Sequence, residues 1–183
     1  MKIITSEAVF KGHLDKICDQ ISDAILDECL DKDPNSRVAI ETLIKNNIIV
    51  IAGEVTTTAD VDYEKCALEV LEDLGYEDLD SFEFVIEVSK QSPDIALGVD
   101  KDGTGDQGIM YGYACSDDHL LFPLPLLLAR RIAIQMDSLT RRIREMFGAD
   151  GKCQVSVKYN DNDHPVEVTT IVVSQQTRTF VES

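Results

Sequence analysis

The sequence predicts an α+β fold, with mixed or antiparallel sheets carrying helices on one face. Three observations support this. Apolar residues recur at helical spacing in two separate stretches. Alternating strand-like runs come in pairs joined by short Asn/Asp turns. A long third helix lies between the first set of strands and the last.

Residues 2–5 form a short apolar segment suited to an edge strand. From Leu14 to Leu30, Ile17, Ile21, Ala24, Ile25 and Cys29 repeat at helical intervals, and Asp19, Gln20, Asp23 and Asp27 fall on the other faces. Asp33-Pro34-Asn35 ends that helix. Val38, Ile40, Thr42 and Ile44 alternate as a half-buried strand does. Asn46-Asn47 then turns the chain into a second strand over 48–57, making a hairpin. A second helix over 62–74 buries Ala67, Val70, Leu71 and Leu74, with Gly75 at its C-terminal end. Residues 83–89 read as a third strand and 108–115 as a fourth. Between them lies a polar loop, 91–107, with Pro93, Gly98, Gly103 and Gly105. The long helix is expected over 123–147, apolar first and basic later. A final hairpin, 154–159 with 166–174, turns at Asn160-Asp161-Asn162-Asp163. No internal repeat is visible in the sequence.

At 183 residues and 44% hydrophobic, the chain can bury one core or two small ones without disulfides. No apolar run approaches the roughly 18–20 residues that span a bilayer, and no secretory signal opens the chain, so neither a membrane nor export is expected. The five cysteines are scattered without Cys-x-x-Cys spacing and fall mostly in apolar runs. They read as reduced, buried thiols of a cytoplasmic protein. Acids outnumber bases 34 to 17, a formal net charge of −17, which argues against nucleic-acid binding.

Gly103-x-Gly105-x-x-Gly108 fits a dinucleotide fingerprint as a string. It follows a polar loop and precedes a strand-like run, the wrong context for that motif. No P-loop and no zinc spacing occurs. In Gly12-His13-Leu14-Asp15-Lys16, an imidazole, a carboxylate and an ammonium surround one helix start, where N–H groups favour anions. Read alone, His13 is equally a surface residue and Asp15 a first-turn acid. Glu41 and Glu54 lie in apolar strands, where they are either buried with partners or turned outward by alternation. Asp94, Asp106 and Asp150 sit beside proline or glycine, as turn residues do.

Taken in order, these segments resemble one family. Thr5-Ser6-Glu7, Gly12-His13-Leu14-Asp15-Lys16-Ile17-Cys18-Asp19-Gln20, Glu41-Thr42, Ala52-Gly53-Glu54-Val55-Thr56, Gln91-Ser92-Pro93-Asp94, Gly105-Asp106-Gln107-Gly108-Ile109-Met110-Tyr111-Gly112-Tyr113 and Asp150-Gly151-Lys152 are collinear with motifs of S-adenosylmethionine synthetase (methionine adenosyltransferase). The resemblance covers nearly all of this chain and about the first half of a family member. It implies an enzyme in which methionine sulfur attacks C5′ of ATP and expels triphosphate, which is then hydrolysed. It also implies roles for particular residues. His13 and Lys152 are catalytic and, with Asp150, contact ATP. Asp15 ligates magnesium and Glu41 belongs to a potassium site. Glu54, Gln91 and Asp106 hold methionine, and the 91–107 loop gates the site.

The resemblance further implies lobes interwoven from non-adjacent segments. Residues 10–97 would form an ATP, metal and methionine lobe, 98–115 the gating loop and following strand, and 116–183 a helix-plus-hairpin lobe. This chain departs from the family at Lys11 and Leu14, where the pattern has Glu and Pro, and at Ser174-Gln175-Gln176-Thr177, where a histidine is absent. The family's glycine-rich phosphate-binding segment, later lysines and second metal-binding aspartate are not in this sequence. The expected assembly is therefore a two-chain enzyme, with a complementary C-terminal-half polypeptide and self-association about a two-fold axis. A non-catalytic scaffold or regulatory paralogue is the alternative, and a shortened form of a full-length enzyme is the third.

Overall fold

The computed structural model describes residues 1–90 and 107–178. Its order is β1 (Lys2–Val9), α1 (Leu14–Lys32), β2 (Arg37–Lys45), β3 (Ile48–Thr56), α2 (Tyr63–Leu74), a 3-10 turn (Leu79–Ser81), β4 (Glu83–Ser89), α3 (Leu124–Arg142), β5 (Phe147–Tyr159) and β6 (Pro165–Thr177). The fold is α+β, as predicted. The chain divides into two compact units, Met1–Lys16 with Gly112–Ser183, and Ile17–Tyr111. Among the described residues, no helix is long and apolar enough to cross a membrane.

In residues 17–111 the sheet order is β2-β3-β4, with β2 antiparallel and β4 parallel to β3. The hairpin turns at Asn46-Asn47, with Lys45 opposite Ile48 and Asn46 at φ 57°. Ile17, Ile21, Ile25 and Cys29 of α1 are fully buried. They form one core with Ile49 and Ile51 of β3 and Ala67 and Leu71 of α2. Asp62 caps α2 by accepting the Lys65 N–H at 3.0 Å, and Gly75 closes the helix by donating to Glu72. Asp33 ties the end of α1 to the end of β3: its carboxylate accepts the Asn35 N–H, the Thr58 N–H and the Thr58 hydroxyl. Those donors hold its carboxyl below the ordinary aspartate value.

The other unit is an antiparallel sheet of order β1-β5-β6. Cys153, Val155, Val157 and Tyr159 alternate onto the side where Ala129 and Ala133 of α3 pack, with Phe10 fully buried among them. Tyr159 donates its hydroxyl to Asp117, which also accepts the Leu124 N–H at the start of α3. Burial first, and then that carboxylate, push the phenol up. Burial likewise pushes up the thiols of Cys29, Cys66 and Cys153.

Four sequence expectations are corrected here. Residues 108–115 form no strand: Ile109, Met110, Tyr111 and Tyr113 are strongly exposed, and among the described residues no strand pairs with them. Helix α3 stops at Arg142 and does not run to 147, and β5 begins at Phe147, seven residues before the expected 154. Phe147 pairs with Thr177 and Gly151 with Gln175, and cross-strand pairing overrides local helical pattern. Asp150 therefore sits in a strand and not in a turn. The first strand is also longer than expected, because pairing with β5 carries it from Lys2 through Val9.

Candidate functional site

The geometry starts with the exit from β1. Val9 is opposite Lys152 in β5, and the next residue, Phe10, donates its N–H to Gly151 O at 2.8 Å. The chain then turns at Gly12 hard against the same strand. A Cβ on Gly12 would lie 2.3 Å from that of Ala149, so only glycine fits. Gly151 has the same role from the other side, since a Cβ there would strike the Phe10 ring at 2.3 Å. Two motifs well over a hundred residues apart in sequence are thus locked together: the 12–15 turn and the 149–152 strand segment.

His13 follows immediately, with its N–H bonded to Phe10 O at 3.1 Å. Its Nδ1 accepts the N–H of Asp15 at 3.3 Å, which caps the start of α1. Nδ1 also lies 3.8 Å from the Asp15 carboxylate, a contact that counts as an ion pair only with a protonated ring. With Nδ1 accepting from the backbone, Nε2 is the ring nitrogen left to donate. Asp15 is 93% exposed at the first helical turn. A lone exposed carboxylate suits magnesium, which takes most of its ligands from phosphate and water.

Lys152 lies on the face of β5 opposite the core, half exposed, with its ammonium 4.0 Å from Glu7. At that distance and exposure the pair holds the amine only weakly, so it stays available to an anion. Glu7 was quoted in the opening motif without a role, and β1–β5 register is what places it beside Lys152. Asp150 is held by residues that sequence reasoning passed over. Gln176 Oε1 accepts its N–H at 3.3 Å. Gln175 Nε2 donates to Gly148 O at 2.8 Å and to Asp150 O at 3.1 Å. Their only sequence signal was that they lie in Ser174-Gln175-Gln176-Thr177, the segment where the family pattern has a histidine that this chain lacks. Lys11 donates its backbone N–H to Asp137 of α3 at 3.0 Å, and its charge also acts on that carboxyl.

In residues 17–111 the question left open for the glutamates is settled. Ile49, Ile51 and Val55 face the helices, so alternation puts Glu54 and Glu41 on the opposite face. Glu41 is exposed opposite Ala52, and Glu54 is half-buried opposite Ala39. Glu87, also exposed, joins that face through its pairing with Ala52. Among the described residues, no three His, Cys, Asp or Glu side chains gather closely enough to hold a metal ion. Among these residues Glu41 by itself does not make a complete cation site. Gln91 and Asp106 lie outside the described residues.

A strand-locked His/Asp/Lys turn at the start of a helix matches the sequence motifs quoted above. Residues 1–93 match the family model of the S-adenosylmethionine synthetase N-terminal domain, and residues 101–183 that of the central domain. The chain belongs to the S-adenosylmethionine synthetase family. It is 45% identical over 183 residues to S-adenosylmethionine synthase 1 of Rhodopseudomonas palustris (strain BisB18), covering 94% of this chain and 48% of that protein. The S-adenosylmethionine synthase of Prochlorococcus marinus (strain MIT 9211) is 45% identical over 193 residues, covering 95% and 47%. That of Synechococcus sp. (strain RCC307) is 46% identical over 195 residues, covering 95% and 47%. The chain therefore spans about half the length of these relatives.

Proposed function

We propose that this chain contributes one wall of a methionine adenosyltransferase site and works in the cytoplasm as one subunit of a two-chain enzyme. The observation that supports the reading is the close approach of Gly12 to Ala149 and the Phe10 N–H bond to Gly151 O, which bring the turn that carries His13 and Asp15 up to the strand segment that carries Asp150 and Lys152. In the proposed reaction the methionine sulfur forms a bond to C5′ of ATP while C5′–O5′ breaks and triphosphate leaves. The His13 Nε2–H stabilises the charge growing on O5′, and Lys152 meets the phosphate chain as a point charge. Asp150 binds the ribose side of ATP. Glu54, Gln91 and Asp106 hold methionine, and residues 91–107 gate the site.

Magnesium, when bound, would draw charge from the phosphates, with Asp15 as its protein carboxylate; Glu41 would supply one oxygen to potassium. The complementary polypeptide would carry the rest of the cationic clamp for triphosphate. The net charge of −17 favours a basic partner. Two copies of this chain related by a two-fold axis would complete the assembly.

The alternative is a non-catalytic scaffold or regulatory subunit, for which Lys11 and Leu14 speak. Against it, the Lys11 charge acts on Asp137, and α1 starts at Leu14 without the proline. The test is co-expression with a complementary half, assayed for S-adenosylmethionine synthesis. Activity should require both chains and fall about 100-fold or more in His13→Ala and Lys152→Met. Full activity in His13→Ala would sink the catalytic assignment, and synthesis by the chain alone would sink the two-chain one.

A further inference from the structure

The turn that carries His13 is held by more than the strand it leaves. The Phe10 N–H bonds Gly151 O, and the His13 N–H returns to Phe10 O at 3.1 Å. Between them, the Lys11 N–H goes to helix α3, where Asp137 Oδ1 accepts it at 3.0 Å. That helix is a firm base for the contact. Its Ala129 and Ala133 are buried against β5, and the Cys153 thiol donates to Ala129 O at 3.1 Å. One turn beyond Asp137, Thr140 is buried and donates its hydroxyl to Asp137 O at 3.1 Å.

A carboxylate is a costly choice for such a place. Asp137 is half-buried, and burial pushes its carboxyl above the ordinary aspartate value, against the pull of the Lys11 N–H and of the Lys11 and Arg141 charges. A group whose charge is disfavoured on folding does not stand there for stability. What it supplies is a charged acceptor for one backbone donor, two residues before His13. Such a bond is roughly twice as strong as a neutral one. It uses the main chain of residue 11, so it does not depend on the side chain by which this sequence departs from the family pattern there, and the Lys11 charge reinforces it.

We propose that Asp137 is a positioning residue for His13, fixing through the Lys11 N–H the turn that aims the imidazole. It is assigned no contact with substrate and acts through the backbone alone. The inference deepens the adenosyl-transfer reading, and its catalytic consequence rests on that reading.

The chain has three histidines, so the ring signals of His13, His119 and His164 can be followed separately by two-dimensional NMR of the whole chain. In Asp137→Ala the His13 signal should move and the Lys11 amide should exchange with solvent about tenfold or more faster, with His119 and His164 unmoved. Asp137→Asn keeps an oxygen that accepts the N–H and should restore both. In the enzyme reconstituted with the complementary half, Asp137→Ala should lower kcat about tenfold with the KM for methionine unchanged, and Asp137→Asn should recover most of it. An unmoved His13 in Asp137→Ala would overturn the proposal. So would movement of all three histidines together, which marks general loosening, or an Asn variant that behaves as the Ala variant does, which assigns the effect to charge. Full kcat in Asp137→Ala despite a displaced His13 would count against the catalytic reading of His13 and leave the positioning standing. If the unaltered pair of chains makes no product, the two-chain reading falls, and the NMR signals still decide the proposal.

Discussion

In residues 17–111, two helices close one face of the β2–β3 hairpin, and β4 closes one edge. In the other unit, a hairpin that follows its helix in the same way has one helix, with β1 on the opposite edge, and among the described residues no strand pairs with the far side of β6. The first arrangement buries whole isoleucines from α1 and β3. The second spends close approaches at Gly12 and Gly151 on fixing a polar turn. One unit is organised around an apolar core, and the other also fixes the 12–15 turn against the 149–152 strand segment.

Mutations can break this contrast. Ile21→Ala in the closed core should cost about 2–5 kcal/mol in urea unfolding, whereas Ile171→Ala on the open strand should stay within about 0.5 kcal/mol. Equal losses would erase the asymmetry. Gly12→Val should cost about 1–3 kcal/mol, because its side chain must displace the Ala149 backbone. It should also lower synthesis by the reconstituted enzyme, since the same clash moves His13. Unchanged melting and activity would show that the turn is not locked. Gln175→Ala removes the donor to Gly148 O and Asp150 O and should cost about 1–2 kcal/mol. Its effect should appear as a raised KM for ATP, if Asp150 faces the ribose.

The smallest effect is a difference of sign with pH. Asp33 is held below the ordinary aspartate value by the Thr58 and Asn35 donors. Its contribution is full above the unfolded value and is lost as pH falls through the lower folded one. Asp137 is pushed up, chiefly by burial, with Lys11 opposing. Its ionised form therefore costs stability once pH rises through the higher folded value, and that cost is absent below the unfolded one. Urea titrations across acid pH should show Asp33→Asn losing acid-side steepness and Asp137→Asn gaining it. The same direction of change in both would contradict the two environments.

Much of this was legible in the sequence. Helical spacing located α1 and α2, Asp62 and Gly75 marked the ends of α2, and Asn46-Asn47 fixed the first hairpin. These are local effects, set by period, cap and turn within a few residues. The collinear motifs also identified the family and named His13, Asp15, Asp150 and Lys152.

Tertiary structure decided the rest, because pairing between distant strands leaves no local mark. It extended β1 to Val9 and β5 back to Phe147, and it left 108–115 unpaired. It put Glu7 beside Lys152 and Gln175 and Gln176 under Asp150. The β1-β5-β6 order depends on register between segments well over a hundred residues apart. A one-residue shift in register would turn every side chain to the other face, so no reading of single segments could have fixed it.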